Sequence, residues 1–116
     1  STLLASSAAS DVYKRQMVDF FSVGTNDLTQ YTLACDRQNP DIEPFIDTHH
    51  EAILRLIEMS ARNAHANGAW IGICGELAAD TTLTETFLRM GIDELSVSPA
   101  FVLKVRDAVR NVDLRK

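Results

Sequence analysis

Apolar residues recur along this chain in two alternating rhythms, and their alternation predicts an architecture. From Met17 onward, Val18, Phe20, Phe21 and Val23 form a short apolar run ending at Gly24, the pattern of a buried strand. The polar segment Gly24-Thr25-Asn26-Asp27 follows, and its residue types favour a turn. Residues 28–34 suit a short helix, and Asp36 to Asp47, with two prolines, reads as loop. Thr48 with Glu51 three residues later predicts a capping box that opens a helix. Ile53, Leu56, Ile57, Ala61 and Ala64 then share one helical face, and Asn67-Gly68 provides the stop.

The same alternation repeats in the second half. Trp70 to Ile73 is a second buried-strand candidate, leading into Cys74-Gly75-Glu76. A helix fits Thr82 to Met90, with Thr82 and Glu85 as another capping box and Gly91 as its stop. Glu94 to Val97 is a third, short strand-like run. Ser98 as N-cap and Pro99 at the first helical position launch the last helix. Its apolar face is Val102, Val105, Ala108, Val109 and Val112, with Lys104, Arg106 and Arg110 off that face as solvated surface.

Strand and helix therefore alternate three times, and the strands lack an apolar-polar alternation of their own. The fold class expected is α/β, a parallel sheet covered by helices. Two full βα units and a terminal strand-helix cannot close a barrel or bury both faces of their strands. Either the domain continues upstream in a longer chain or the units pair with another copy. The first is favoured, because polar residues follow both strands, where βα enzymes keep their active sites. Residues 1–16, STLLASSAASDVYKRQ, stand apart: Ser and Ala dominate without helix or strand period. They resemble translated adapter or vector sequence, or else a disordered leader, and the folded domain is expected at 17–116.

Composition changes this picture little. A length of 116 residues fits one small domain or part of a larger one, and 46% hydrophobic with 23% charged residues is ordinary for a globular chain. A net charge of −5 argues against nucleic acid or an anionic membrane as main partner, while leaving room for a local phosphate site. No apolar run approaches the roughly 20 residues of a bilayer span. Cys35 and Cys74 are too few for a disulfide framework or a CxxC metal site, so reduced, cytoplasmic chemistry is the default.

Two constellations carry candidate chemistry. Asn26-Asp27 after a strand can be an ordinary turn, or Asp27 can be a hard oxygen ligand for Mg²⁺ with Asn26 as amide donor to an anionic substrate. Arg37, ten residues beyond Asp27, could fold back to grip a phosphate. Cys74, flanked by Gly72 and Gly75, could be a buried small hydrophobe, a nucleophile, a metal ligand or a general acid. A nucleophile needs a base, and nothing in the spacing brings His49, His50 or His65 to it. A general acid needs a protonated thiol, which the ordinary thiol pKa of about 8.5 provides at neutral pH.

Read together, FFSVGTNDLTQYTLACDRQNP and GICGELAAD resemble the Enzyme I family of the bacterial sugar phosphotransferase system, and the similarity covers residues 17–116. GTNDLTQ alone is shared with pyruvate phosphate dikinase and, more loosely, phosphoenolpyruvate synthase; CGELAAD and YTLACDR favour Enzyme I. The resemblance implies the end of an eight-stranded (β/α)8 TIM-type barrel, incomplete here, that binds phosphoenolpyruvate and Mg²⁺. It implies phosphoryl transfer to a histidine in a separate N-terminal domain and thence to the carrier protein HPr, with release of pyruvate. The parent is then a homodimer. Carried over by position, Asn26 contacts phosphoenolpyruvate, Asp27 binds Mg²⁺, Arg37 holds the phosphate, and Cys74 protonates C3 of the enolate. The family's second Mg²⁺ carboxylate, its other phosphate-binding arginines and its phosphorylated histidine have no counterpart in this chain. Cys35 stands where the family has an apolar residue.

Overall fold

Each apolar run becomes a strand because its branched and aromatic side chains alternate between two sides of a pleated ribbon. The computed structural model describes residues 18–116; the segment 1–16 set apart above lies outside the described residues. The strands are β1 (Phe20–Gly24), β2 (Trp70–Cys74) and β3 (Glu94–Ser96), forming one sheet in the order β1-β2-β3. Both pairings are parallel, with Phe21 opposite Ile71, Gly24 opposite Cys74, and Cys74 opposite Ser96. The parallel register brings all three strand ends to one edge.

Helices make the crossovers. Helices α1 (Thr25–Thr32) and α2 (Glu51–Ala66) connect β1 to β2, with a 3-10 turn at Glu43–Phe45 between them. The next crossover contains α3 (Glu76–Ala79) and α4 (Thr84–Met90), and α5 (Val102–Arg110) follows β3 after a 3-10 turn at Pro99–Phe101. Phe21, Val23, Ile71 and Ile73 project from the sheet into a core shared with Ile53, Ile57 and Ala61 of α2 and Phe87 of α4. Among the described residues, no helix is long and apolar enough to cross a membrane.

As expected of so few strand-helix units, the strands are not buried on both sides. Phe20, Ser22 and Trp70 alternate with the core positions and stay exposed. Phe20 and Trp70 are register partners, and their rings stack at 4.5 Å between centroids. The apolar residues on this open side are what removed the alternation from the sequence.

Several element boundaries differ from expectation. The first helix runs from Thr25 to Thr32 rather than over 28–34, so Asn26 and Asp27 lie in a helical first turn rather than in a free turn. Extended Gly24 precedes the helix, Asp27 sits where the helix dipole favours a carboxylate, and Thr29 Oγ donates back to Thr25 O at 2.8 Å. Thr48 is not the cap of α2; His50 is, its Nδ1 accepting the Ala52 N–H at 3.1 Å. Thr82 does not cap α4, because its N–H and hydroxyl both donate to Asp80 Oδ1, and the helix opens two residues later. Gly91 does end α4, with φ of 90°. Ser98 makes no side-chain cap, and the chain turns through Pro99–Phe101 before α5. Only Val105 of the expected α5 face is buried, while Val102 and Val109 remain exposed.

Candidate functional site

At the common edge of the sheet, the ends of β1 and β2 are bonded to each other through the residues that follow them. Thr25, wholly buried, donates its hydroxyl to Cys74 O at 2.6 Å. One residue on, Asn26 Oδ1 accepts the Glu76 N–H at 3.2 Å. With its oxygen committed to that donor, the Asn26 amide has its NH₂ group as the remaining donor, and the residue lines both neighbouring cavities. The Cys74 thiol, half-buried, points across to Val23 O at 3.6 Å.

Gly75 makes this junction possible. Its φ of 99° lies in the region that side chains avoid, and a Cβ there would sit 2.6 Å from Thr25 Oγ and 3.0 Å from Asn26 Oδ1. The chain thus crosses directly over Thr25 and Asn26 as it leaves β2. Helix α3 is a single turn, beginning at Glu76.

Two cavities flank Asn26 and Glu76. One, of about 340 Å³, is lined by Asn26, Thr29, Arg37, Glu43, Ile46 and Thr48 together with Glu76. Arg37 is therefore brought beside Asn26; its own N–H is held by Gln30 Oε1 at 3.3 Å. The other, of about 440 Å³, is lined by Asn26, Gly75, Glu76, Asp80, Ser96 and Ser98 among others. A wider apolar groove of about 670 Å³ lies between β3 and α5 and contains none of the candidate residues.

Of the four candidates, the structure joins Asn26 to Arg37 through one cavity and to the Cys74 turn through one hydrogen bond. Asp27 is the neighbour of Asn26 in the first turn of α1 but lines neither cavity. Among the described residues, no group of three or more His, Cys, Asp or Glu side chains could hold a metal ion. The histidines are occupied elsewhere: His49 Nε2 meets Asp80 Oδ2 at 2.7 Å, and His65 Nε2 meets Asp93 Oδ2 at 2.7 Å.

Both of those aspartates are held below the usual carboxylate range. For Asp80 the leading cause is the Thr82 hydroxyl, with His49 adding to it against the opposing effect of burial. For Asp93 burial is the largest single influence and pushes upward. It is outweighed by His65 and by the Ile71 N–H, which reaches Oδ2 at 2.9 Å.

Sequence reasoning missed Thr25, Glu76, Asp80 and His49 as parts of this edge. Thr25 had a usable signal, since a hydroxyl at the first helical position after a strand needs a partner. The His49–Asp80 contact spans 31 residues and leaves no local trace.

Comparison with known proteins shows the family of the chain. The family model described as "PEP-utilising enzyme, PEP-binding domain" matches residues 5–114. A phosphoenolpyruvate-protein phosphotransferase of Priestia megaterium is 43% identical over 108 residues, covering 93% of this chain and 19% of the relative. The proteins of that name from Enterococcus faecalis and Haemophilus influenzae are each 44% identical, covering 97% and 95% of this chain and 19% of their own length. The chain thus spans about a fifth of the relatives it matches.

Proposed function

The chain belongs to the PEP-utilising enzymes through their PEP-binding domain, and from that premise we propose that it forms one side of the site of a phosphoenolpyruvate-protein phosphotransferase. The observation that carries the reading is the bonded junction of the β1 and β2 ends. It sets the Asn26 amide and the Cys74 turn side by side, with Arg37 across the adjoining cavity.

In this reading the Arg37 guanidinium grips phosphoryl oxygens through its planar fork, and the NH₂ of Asn26 donates to the same anion. Phosphoryl departure leaves the enolate of pyruvate. Cys74 gives its S–H proton to C3, a C–H bond forms as the S–H bond breaks, and solvent returns a proton to the thiolate. Loss of Cys74 then damages turnover more than substrate binding. Asp27, next to Asn26 in the first turn of α1, would supply one carboxylate ligand to Mg²⁺, and the ion's other oxygens would have to come from outside the described residues. When bound, the ion neutralises charge on the phosphoryl oxygens.

The wider assignment rests on the same premise. The three strand-helix units are the last part of an eight-stranded barrel whose active site gathers at the strand ends. The phosphoryl group passes to a histidine of another domain and on to HPr, in sugar uptake, within a homodimeric cytoplasmic parent. Free Cys35 and Cys74 are in keeping with a reducing compartment.

Calorimetry tests the proposal. The isolated chain is expected to show no tight Mg²⁺-dependent binding of phosphoenolpyruvate, whereas a longer polypeptide supplying the other strands binds it. Arg37→Ala in that longer protein weakens binding by about 10- to 100-fold, the loss of a charge-assisted contact. Unchanged affinity in Arg37→Ala would remove Arg37 from the site.

A further inference from the structure

The loop that carries Arg37 adds little to the core: from Gln30 to Ala52 no residue is fully buried, and Leu33 at its start is partly buried against the core. Its hydrogen bonds are mostly internal, such as Ile42 N to Asn39 O and Phe45 N to Ile42 O, or reach back to α1 through Gln30. Yet the cavity beside Arg37 has two walls from different parts of the chain. Arg37, Glu43, Ile46 and Thr48 form one; Asn26, Thr29 and Glu76 form the other. Something must fix the distance between them.

The bond that crosses from the end of this loop to the end of α3 is His49 Nε2 to Asp80 Oδ2, at 2.7 Å. Both partners are themselves held. The His49 N–H donates to Asp47 Oδ1 at 3.0 Å, and the next residue, His50, caps α2. Asp80 Oδ1 accepts both the N–H and the hydroxyl of Thr82, at 3.0 and 2.6 Å, leaving Oδ2 aimed at His49. Asp80 also lines the second cavity beside Asn26, Gly75 and Glu76.

We propose that His49 and Asp80 are positioning residues: their bond ties the Arg37 loop to the end of α3, the single turn that follows Cys74-Gly75, and sets the width of the phosphate-binding cavity. The inference rests on the function proposed above. The side chains are 46% and 28% exposed, and an exposed pair of this kind adds little to folding stability. Its effect is geometric: it holds the far end of a loop whose near end is fixed by Leu33 against the core and by Gln30.

The test uses His49→Ala against His49→Gln, since glutamine places an N–H donor at about the same reach. In this chain, ¹⁵N relaxation of residues 37–48 is expected to give order parameters near the rigid value of about 0.85 in the wild type and below about 0.6 in His49→Ala. His49→Gln keeps them high, and residues 53–66 stay rigid in all three. In the longer polypeptide, His49→Ala raises KM for phosphoenolpyruvate by about 5- to 10-fold with kcat within about 2-fold, the pattern of lost uniform binding, and His49→Gln restores it. Unchanged order parameters in His49→Ala overturn the tie. Lowered order parameters with unchanged KM overturn its role at the cavity. A wild-type longer protein that does not use phosphoenolpyruvate defeats the function proposed above, while the relaxation measurement still decides whether the tie exists.

Discussion

The two sides of the sheet differ in what they are asked to do. On one side Phe21, Val23, Ile71 and Ile73 press into α2 and α4 and are almost wholly buried. On the other side, the same strands present Phe20, Ser22 and Trp70, of which the two aromatics are 49% and 40% exposed and stack on each other. Stability therefore resides on the helical side. The proposed chemistry belongs to the strand ends, where the two sides meet and Gly75 lets the chain cross over Thr25.

Substitutions should sort by that division. Phe87→Ala, which empties a fully buried site beneath the covered side, is expected to lose about 3–5 kcal/mol in urea denaturation. Gly75→Ala comes next, at about 2–4 kcal/mol, because it adds positive-φ strain to a contact that would fall 2.6 Å from Thr25 Oγ. Thr25→Val removes the buried donor to Cys74 O and should lose about 1–3 kcal/mol. Trp70→Ala, on the open side, gives up little more than one aromatic pair, about 0.5–1.5 kcal/mol. A Trp70→Ala loss as large as that of Phe87→Ala would erase the distinction between the sides.

Acid gives a smaller effect with a definite sign. Asp80 and Asp93 have folded-state pKa values below the ordinary 3.8. Their contribution is present above the ordinary value and is lost as pH falls through the depressed one. The urea midpoint should therefore hold from about pH 7 to about pH 5 and drop below about pH 4, and Asp80→Asn should flatten part of that drop.

How far this division was legible in the sequence depends on the range of the interactions. The strands, the parallel α/β order and the stops at Gly68 and Gly91 were readable because they rest on local pattern and on φ > 0 positions. The capping boxes were misread because Asp80 competes for Thr82 and His50 supplies its own ring nitrogen to α2. That one side would stay open followed from the number of units, but which residues face it was hidden, because Phe20 and Trp70 are as apolar as their covered neighbours. Asn26, Arg37 and Cys74 stood out as candidates, but the Thr25–Cys74 bond spans 49 residues and only the paired strands reveal it.

The role given to Cys74 is the most exposed part of the account. In the longer polypeptide, Cys74→Ala is expected to slow pyruvate formation from phosphoenolpyruvate by about 10²- to 10⁴-fold, the usual contribution of a general acid, while substrate affinity changes by less than about 3-fold. Pyruvate release at the wild-type rate from Cys74→Ala would contradict it.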